Sequence, residues 1–220
     1  MGVFAGPNIV EEDLTFVVDA ANIRSYPGSG STWFDISGRE NDGTLTNSGN
    51  IAHAGGPARL KFNEGNTAGT GYVEMGNVIE STDKYTKNVW FRTNASNTNN
   101  LMSGGHTVLW CAGGQQTIYA GHNGSYYEVS YNSGSSTGLQ TWYNACVTYS
   151  ATTLKLYVNG KLRSTSSSTN YTDVSLHIAG FANQYELSGD IAYASLYDRA
   201  LTASEVKQNY EAIKGRFGTL

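Results

Sequence analysis

The stretch Trp142 to Leu162, WYNACVTYSATTLKLYVNGKL, constrains the fold of this chain more than any other. Val147-Thr148-Tyr149 favours a strand, Ser150-Ala151-Thr152-Thr153 breaks it, and Leu154-Lys155-Leu156-Tyr157-Val158 alternates with period two. Asn159-Gly160 follows. Both central residues of a type I′ turn need positive φ, which Asn and Gly tolerate best, so Asn-Gly between alternating runs predicts a two-residue β-hairpin. Such a loop sets Val158 opposite Lys161 and Tyr157 opposite Leu162. Neither face of the pair is then purely apolar, which places the return strand near a sheet edge, where lysine blunts pairing with strangers.

Strand signals recur along the rest of the chain. They fall at Leu14–Val18, Arg59–Phe62, Tyr72–Met75, Lys87–Thr93, Thr107–Cys111, Thr117–Ala120, Tyr126–Tyr131, Leu176–Ala179 and Asp190–Tyr197. Arg59–Phe62 and Tyr72–Met75 read as a meander, and the polar runs Asn94–Asn100 and Ser133–Gly138 read as loops. Charged residues make up only 15% of the chain, while glycine (26) and tyrosine (15) are abundant, which suits a turn-rich all-β protein. About a dozen strands with regular turn signals predict an all-β sandwich of two antiparallel sheets. The one helix signal is late: Thr202-Ala203-Ser204-Glu205 fits a capping box, Val206, Tyr210 and Ile213 share a face, and Gly215 is placed to end the helix. Residues 1–13 read as a lead-in or tether, 14–215 as the body and 216–220 as a tail, the segments 4–10 and 216–220 being short enough to order on a neighbour.

A net charge of −4 offers no basic stripe for a phosphate backbone, which argues against nucleic acid. No run of eighteen apolar residues predicts a membrane span, and no secretion signal is expected. Cys111 and Cys146 lie inside predicted strands and read as buried free thiols. The loop from Trp33 to Leu45 is crowded with oxygens from Asp35, Ser37, Asn41 and Asp42, yet its spacing is not that of an EF-hand. Asx-turns, with Gly38 and Gly43 at positive φ, account for it better.

Catalytic patterns are sparse. Sugar-cleaving sandwiches need paired carboxylates, but Glu74, Glu80 and Glu128 stand alone; His53, His106, His122 and His177 are scattered. Aromatic residues are better represented. Trp110, Tyr119, Tyr126, Tyr127 and Trp142 lie on neighbouring predicted strands, and ring faces beside Asn and Gln are what a carbohydrate-binding groove uses; the same residues also suit a core or a protein interface. Asn94-Ala95-Ser96, Asn123-Gly124-Ser125 and Asn170-Tyr171-Thr172 read as polar surface loops.

Residues 142–149, 154–162, 187–191 and 196–206 resemble the closing half of a concanavalin A-like, laminin-G-like domain. The opening, Asp19-Ala20-Ala21-Asn22, Ser25–Gly30, Trp33, Asp35, Ser37-Gly38 and Asp42-Gly43-Thr44-Leu45, is similar to the version found in structural proteins of marine tailed phages. The resemblance implies a jelly-roll sandwich and a non-enzymatic virion-surface protein, whether capsid decoration, fibre or tail component, docked on a phage capsid or fibre protein and touching glycans. Open β-edges leave room for a homo-oligomer. Many relatives carry an acid where this chain has Ala192, so no calcium or other cofactor is expected. A free lectin, and a polysaccharide lyase or hydrolase using Glu74 and Glu128, are the rival readings.

Overall fold

A computed structural model describes residues 7–64, 70–94, 98–112, 117–134, 140–172, 174–181 and 185–218. The expected loops at 94–100 and 133–138, and the sequon at Asn94, fall partly outside these residues, as do both chain ends. The strands run in chain order as β1 (Leu14–Asp19), β2 (Thr32–Trp33), β3 (Gly43–Thr46), β4 (Ile51–Ala54), β5 (Arg59–Phe62) and β6 (Tyr72–Asn77). The middle of the chain forms β7 (Lys84–Thr93), β8 (Thr98–Asn100), β9 (Met102–Ser103), β10 (Thr107–Ala112), β11 (Thr117–His122) and β12 (Ser125–Asn132). Then come β13 (Tyr143–Ser150), β14 (Thr153–Val158), β15 (Lys161–Ser167), β16 (Ser175–Ile178), β17 (Gly189–Tyr197) and helix α1 (Ala203–Ile213).

One layer is an eight-stranded antiparallel sheet in the order β15-β14-β13-β7-β17-β5-β4, with β1 also on β17. Facing it are a four-stranded sheet, β12-β11-β10-β8, and a five-stranded one, β2-β3-β6-β16-β9. One apolar cluster draws on all three sheets, from Phe16 and Val89 to Leu109, Ile118 and Ile178, so the fold is the expected sandwich. The Asn159-Gly160 hairpin forms as predicted: both residues have positive φ, Val158 pairs with Lys161, Tyr157 pairs with Leu162, and β15 is the sheet's edge.

Strand β7 shows why its sheet is buried on both faces. Alternation sends Tyr85, Val89 and Phe91 into the sandwich and Trp90 to the back, where α1 covers it. Trp90 stacks on Tyr210 at 5.5 Å and on Phe217 at 4.3 Å. Lys87 points inward and is fully buried; its Nζ donates to Met102 O (3.1 Å), Thr107 O (3.0 Å) and Thr107 Oγ1 (2.8 Å), tying one layer to the other. The capping box forms as expected, with Thr202 Oγ1 accepting from the Glu205 amide. Both ends of the described chain lie on this back face: Tyr197 Oη donates to Val10 O (2.9 Å), and Arg216, read from sequence as tail, pairs with Asp19 (2.8 Å).

Four expectations need correction. Strands β5 and β6 do not form a meander, because β5 pairs with β17 and β4 in one layer while β6 pairs with β3 and β16 in the other. Thr98–Asn100 is a strand rather than loop, polar because β10 supplies its backbone partners. Gly215 lies inside a 3-10 turn, Lys214–Arg216, and the positive φ is taken by Gly218. Gly43 has no positive φ; a Cβ there would sit 2.6 Å from Val73, so the need is for close packing.

The oxygen-rich loop is wired inward. Asp35 accepts from the amides of Val17 (2.9 Å), Ser37 (2.8 Å) and Asn41 (3.1 Å) and from Ser37 Oγ (2.7 Å). Asn41 Nδ2 donates to Thr15 O (2.8 Å), so the loop is fastened along β1. Asp35→Ala strands four donors and is expected to cost about 2 kcal/mol or more, read as a lower urea midpoint at unchanged slope.

Candidate functional site

In β10, β11 and β12 the apolar residues Leu109, Cys111, Ile118, Ala120 and Val129 turn into the core. Period-two alternation therefore aims Trp110 and Tyr119, which pair directly across β10 and β11, at the opposite face. Their rings stack at 4.7 Å with 23° between planes. Tyr127 would point inward with Val129 if β12 ran regularly. The β11–β12 register shifts between Ala120 and His122, and that bulge turns Tyr127 outward. Its ring stands edge-on to Trp110 at 5.2 Å and to Tyr119 at 5.1 Å.

This group borders a pocket of about 290 Å³ whose rings are Trp110, Tyr126, Tyr127, Phe181 and Tyr185, with Thr98, Asn100 and Val108 completing the described lining. Tyr127 and Tyr185 are 66% and 59% exposed, whereas Trp110, at 8%, forms wall rather than rim. Hydrogen bonds hold the lining in place. Trp110 Nε1 donates to Tyr126 O (3.1 Å), Asn100 Nδ2 donates to Tyr185 O (2.9 Å), and Asn100 Oδ1 accepts from Ser103 Oγ (2.8 Å). None of the described lining side chains carries a charge. Such a pocket stacks a ring and offers tyrosine and threonine hydroxyls to it.

Four of the five aromatic residues expected at a sugar site, Trp110, Tyr119, Tyr126 and Tyr127, are thus brought together. Trp142 is not. It is 7% exposed, packed against Phe217 at 4.7 Å with the Arg92 guanidinium over its ring at 5.4 Å. Trp142→Ala is expected to lower stability by about 3 kcal/mol and leave any ligand affinity of the pocket unchanged, checked by parallel melting and titration. Phe181, Tyr185, Thr98 and Asn100 escaped the sequence reading. The signal for the first two was a pair of aromatic residues in an otherwise polar connection before β17.

Behind the hairpin lies a buried polar chain. His122 Nε2 meets Tyr85 Oη at 2.8 Å, and His122 Nδ1 meets Thr169 O at 2.9 Å and Ser168 Oγ at 2.8 Å. Ser168 Oγ also donates to Glu128 (2.5 Å). These contacts suit a neutral ring protonated on Nδ1 and accepting from Tyr85. Burial lowers the His122 pKa to about 4, the nearby Lys87 charge adding to the effect against the Thr169 hydrogen bond. Glu128, a rival catalytic acid, is engaged here rather than in the pocket. Cys111 and Cys146 are free and buried, and burial pushes the Cys111 thiol up to about 12, far from a nucleophile's range.

The family model of the concanavalin A-like lectin/glucanases superfamily matches residues 66–207. No curated protein sequence matches the chain. A mutant of Trypanosoma rangeli sialidase displaying trans-sialidase activity superposes with a TM-score of 0.73 at 17% identity, over 97% of this chain and 35% of its own. The binding domain of botulinum neurotoxin DC in complex with SialylT gives 0.67 at 12%, over 91% and 51%. The binding domain of botulinum neurotoxin serotype D gives 0.67 at 15%, over 93% and 53%. The chain therefore spans about a third of the sialidase and half of the toxin domains, and at these identities the likeness is one of fold.

Proposed function

The chain belongs to the concanavalin A-like lectin/glucanases superfamily, and from that premise we propose that it is a non-enzymatic glycan-binding domain displayed on a virion surface. The observation that carries glycan binding is the uncharged aromatic pocket at Trp110, Tyr126, Tyr127 and Tyr185. A pyranose has apolar C–H faces and equatorial hydroxyls, which call for a ring to stack on and neutral hydrogen-bonding groups beside it. A toxin binding domain of the same fold holding SialylT adds support by analogy. With no cation in its described lining, the pocket suits a neutral sugar better than a sialylated one.

Binding rather than turnover is supported by the lack of any acid in that lining, and by Glu128 being held by Ser168. Independence from calcium is supported by Asp35, whose oxygens are occupied by protein donors, and by Ala192 in the closing strand. A chelator is accordingly expected to leave affinity unchanged. The particle location, as capsid decoration or fibre component, rests on the resemblance of residues 19–45 to marine phage structural proteins.

Titration with neutral oligosaccharides tests the site. Tyr127→Ala and Trp110→Ala are each expected to weaken binding about tenfold or more while the fold is retained. Unchanged affinity in both variants would remove the assignment. Quantitative mass spectrometry of purified particles tests the location: hundreds of copies fit a decoration protein, a handful a fibre, and none leaves a free lectin.

A further inference from the structure

A second pocket, of about 390 Å³, opens between the Asn159-Gly160 turn and α1, and its chemistry is the opposite of the aromatic one. Lys161, Arg163, Lys207 and Lys214 all line it, four of the chain's fourteen basic residues, with Glu211 as the single acid. In a chain of net charge −4, such a concentration of cations is a local reversal of sign. Glu211 pairs with Lys214 at 2.5 Å. Lys161, Arg163 and Lys207 are exposed and form no ion pair among the described residues.

The walls are fixed before any ligand arrives. Asn159 N donates to Asn144 O and the Asn144 amide donates back to Asn159 Oδ1, both at 2.9 Å, so the turn is clamped to β13. Gly160 lies so close to Tyr210 that a Cβ would come within 2.9 Å of the ring, and Tyr210 itself is stacked on Trp90. Arg163 lies over the Tyr131 ring at 4.5 Å, which orients its guanidinium. A guanidinium so oriented loses little freedom on binding.

We propose that this cleft binds an acidic polysaccharide through its sulfate or carboxylate groups, as a site separate from the aromatic pocket. The volume is that of a small-ligand site. Lys161 and Arg163 on an edge strand face Lys207 on α1 and Lys214 in the turn that follows it, so charge comes from both walls, matching a flexible chain with anionic groups at short intervals. Guanidinium and ammonium donors hydrogen-bond sulfate and carboxylate oxygens directly. The site does not depend on the neutral-sugar reading, since it shares no residue with that pocket.

Calorimetric titration of the intact chain with a sulfated tetrasaccharide and with its unsulfated parent tests this. The sulfated probe is expected to bind, to weaken as salt rises, and to lose about tenfold or more in affinity in the Lys161→Glu/Lys207→Glu variant, while Trp110→Ala leaves it unchanged. Arg163→Gln, which introduces no repulsion, is expected to show a smaller loss in the same direction. The proposal fails if the unsulfated parent binds equally well, if the lysine variant binds like the wild type at an unchanged melting temperature, or if polyglutamate of equal charge competes as effectively as the sulfated probe.

Discussion

Between pH 6.5 and about 4 the domain is expected to lose about 3 kcal/mol of stability through one residue, His122. The buried ring has its pKa lowered to about 4, whereas an unfolded histidine titrates near 6.5. Above pH 6.5 both states are neutral and the full stability is present. As pH falls below 6.5 the unfolded chain takes up a proton that the folded one refuses, so stability drops until the folded state also protonates near 4. The folded ring refuses it because it is buried and no described residue offers a countercharge in contact: Tyr85, Tyr149 and Tyr171 pack on it, Lys87 repels, and Glu128 reaches it only through Ser168. Urea unfolding at pH 7 and pH 4.5 measures the loss. His122→Gln, though less stable at pH 7, is expected to lose that share of the pH dependence; an equal loss in the variant would place the titration elsewhere. Glu205, held down to about 2 by Arg199, contributes in a different window, its stabilisation present above about pH 4.5 and lost as pH falls through 2.

Gly121→Ala is expected to be strongly damaging for so small a substitution, costing about 3 kcal/mol or more. The added Cβ would fall 1.9 Å from Ser125 O, on a backbone that cannot move without breaking the β11–β12 bulge. The same bulge turns Tyr127 outward, so the loss of stability and the loss of glycan affinity should appear together. Gly124→Ala at the tip of this hairpin is the control. Gly124 has φ +88° with open space around it, and its alanine variant should pay only the backbone strain of about 1–2 kcal/mol and keep the site. A Gly121→Ala protein that melts like the wild type would show that the bulge is not what sets the face.

Local chemistry made much of this fold legible. The Asn159-Gly160 turn, the Thr202 and Glu205 capping box and the alternating strands were readable because each depends on a few adjacent residues. Asn123-Gly124 is the same turn chemistry, and it joins β11 to β12 with both residues at positive φ, although the sequence reading did not use it. What escaped needed long-range information. Arg59–Phe62 and Tyr72–Met75 alternate alike, and nothing local says that they join opposite layers. Thr98–Asn100 pairs through backbone groups, which leave no apolar trace. The burial of Lys87 and His122 has no local signal either, because the partners that satisfy them come from segments distant in sequence. The site was legible in part for the same reason: neighbouring strands pointed to Trp110, Tyr119, Tyr126 and Tyr127, but only the bulge explains how Tyr127 reaches their face, and only the packing of Phe217 removes Trp142.

The central claim, that the Trp110 face holds a sugar, is tested most directly through the chain's four indole N–H groups. In a nitrogen-15 correlation spectrum titrated with a neutral oligosaccharide, the Trp110 signal is expected to shift and saturate while those of Trp33, Trp90 and Trp142 stay in place. Saturable binding with a still Trp110 signal, or with Trp142 moving instead, would contradict the account.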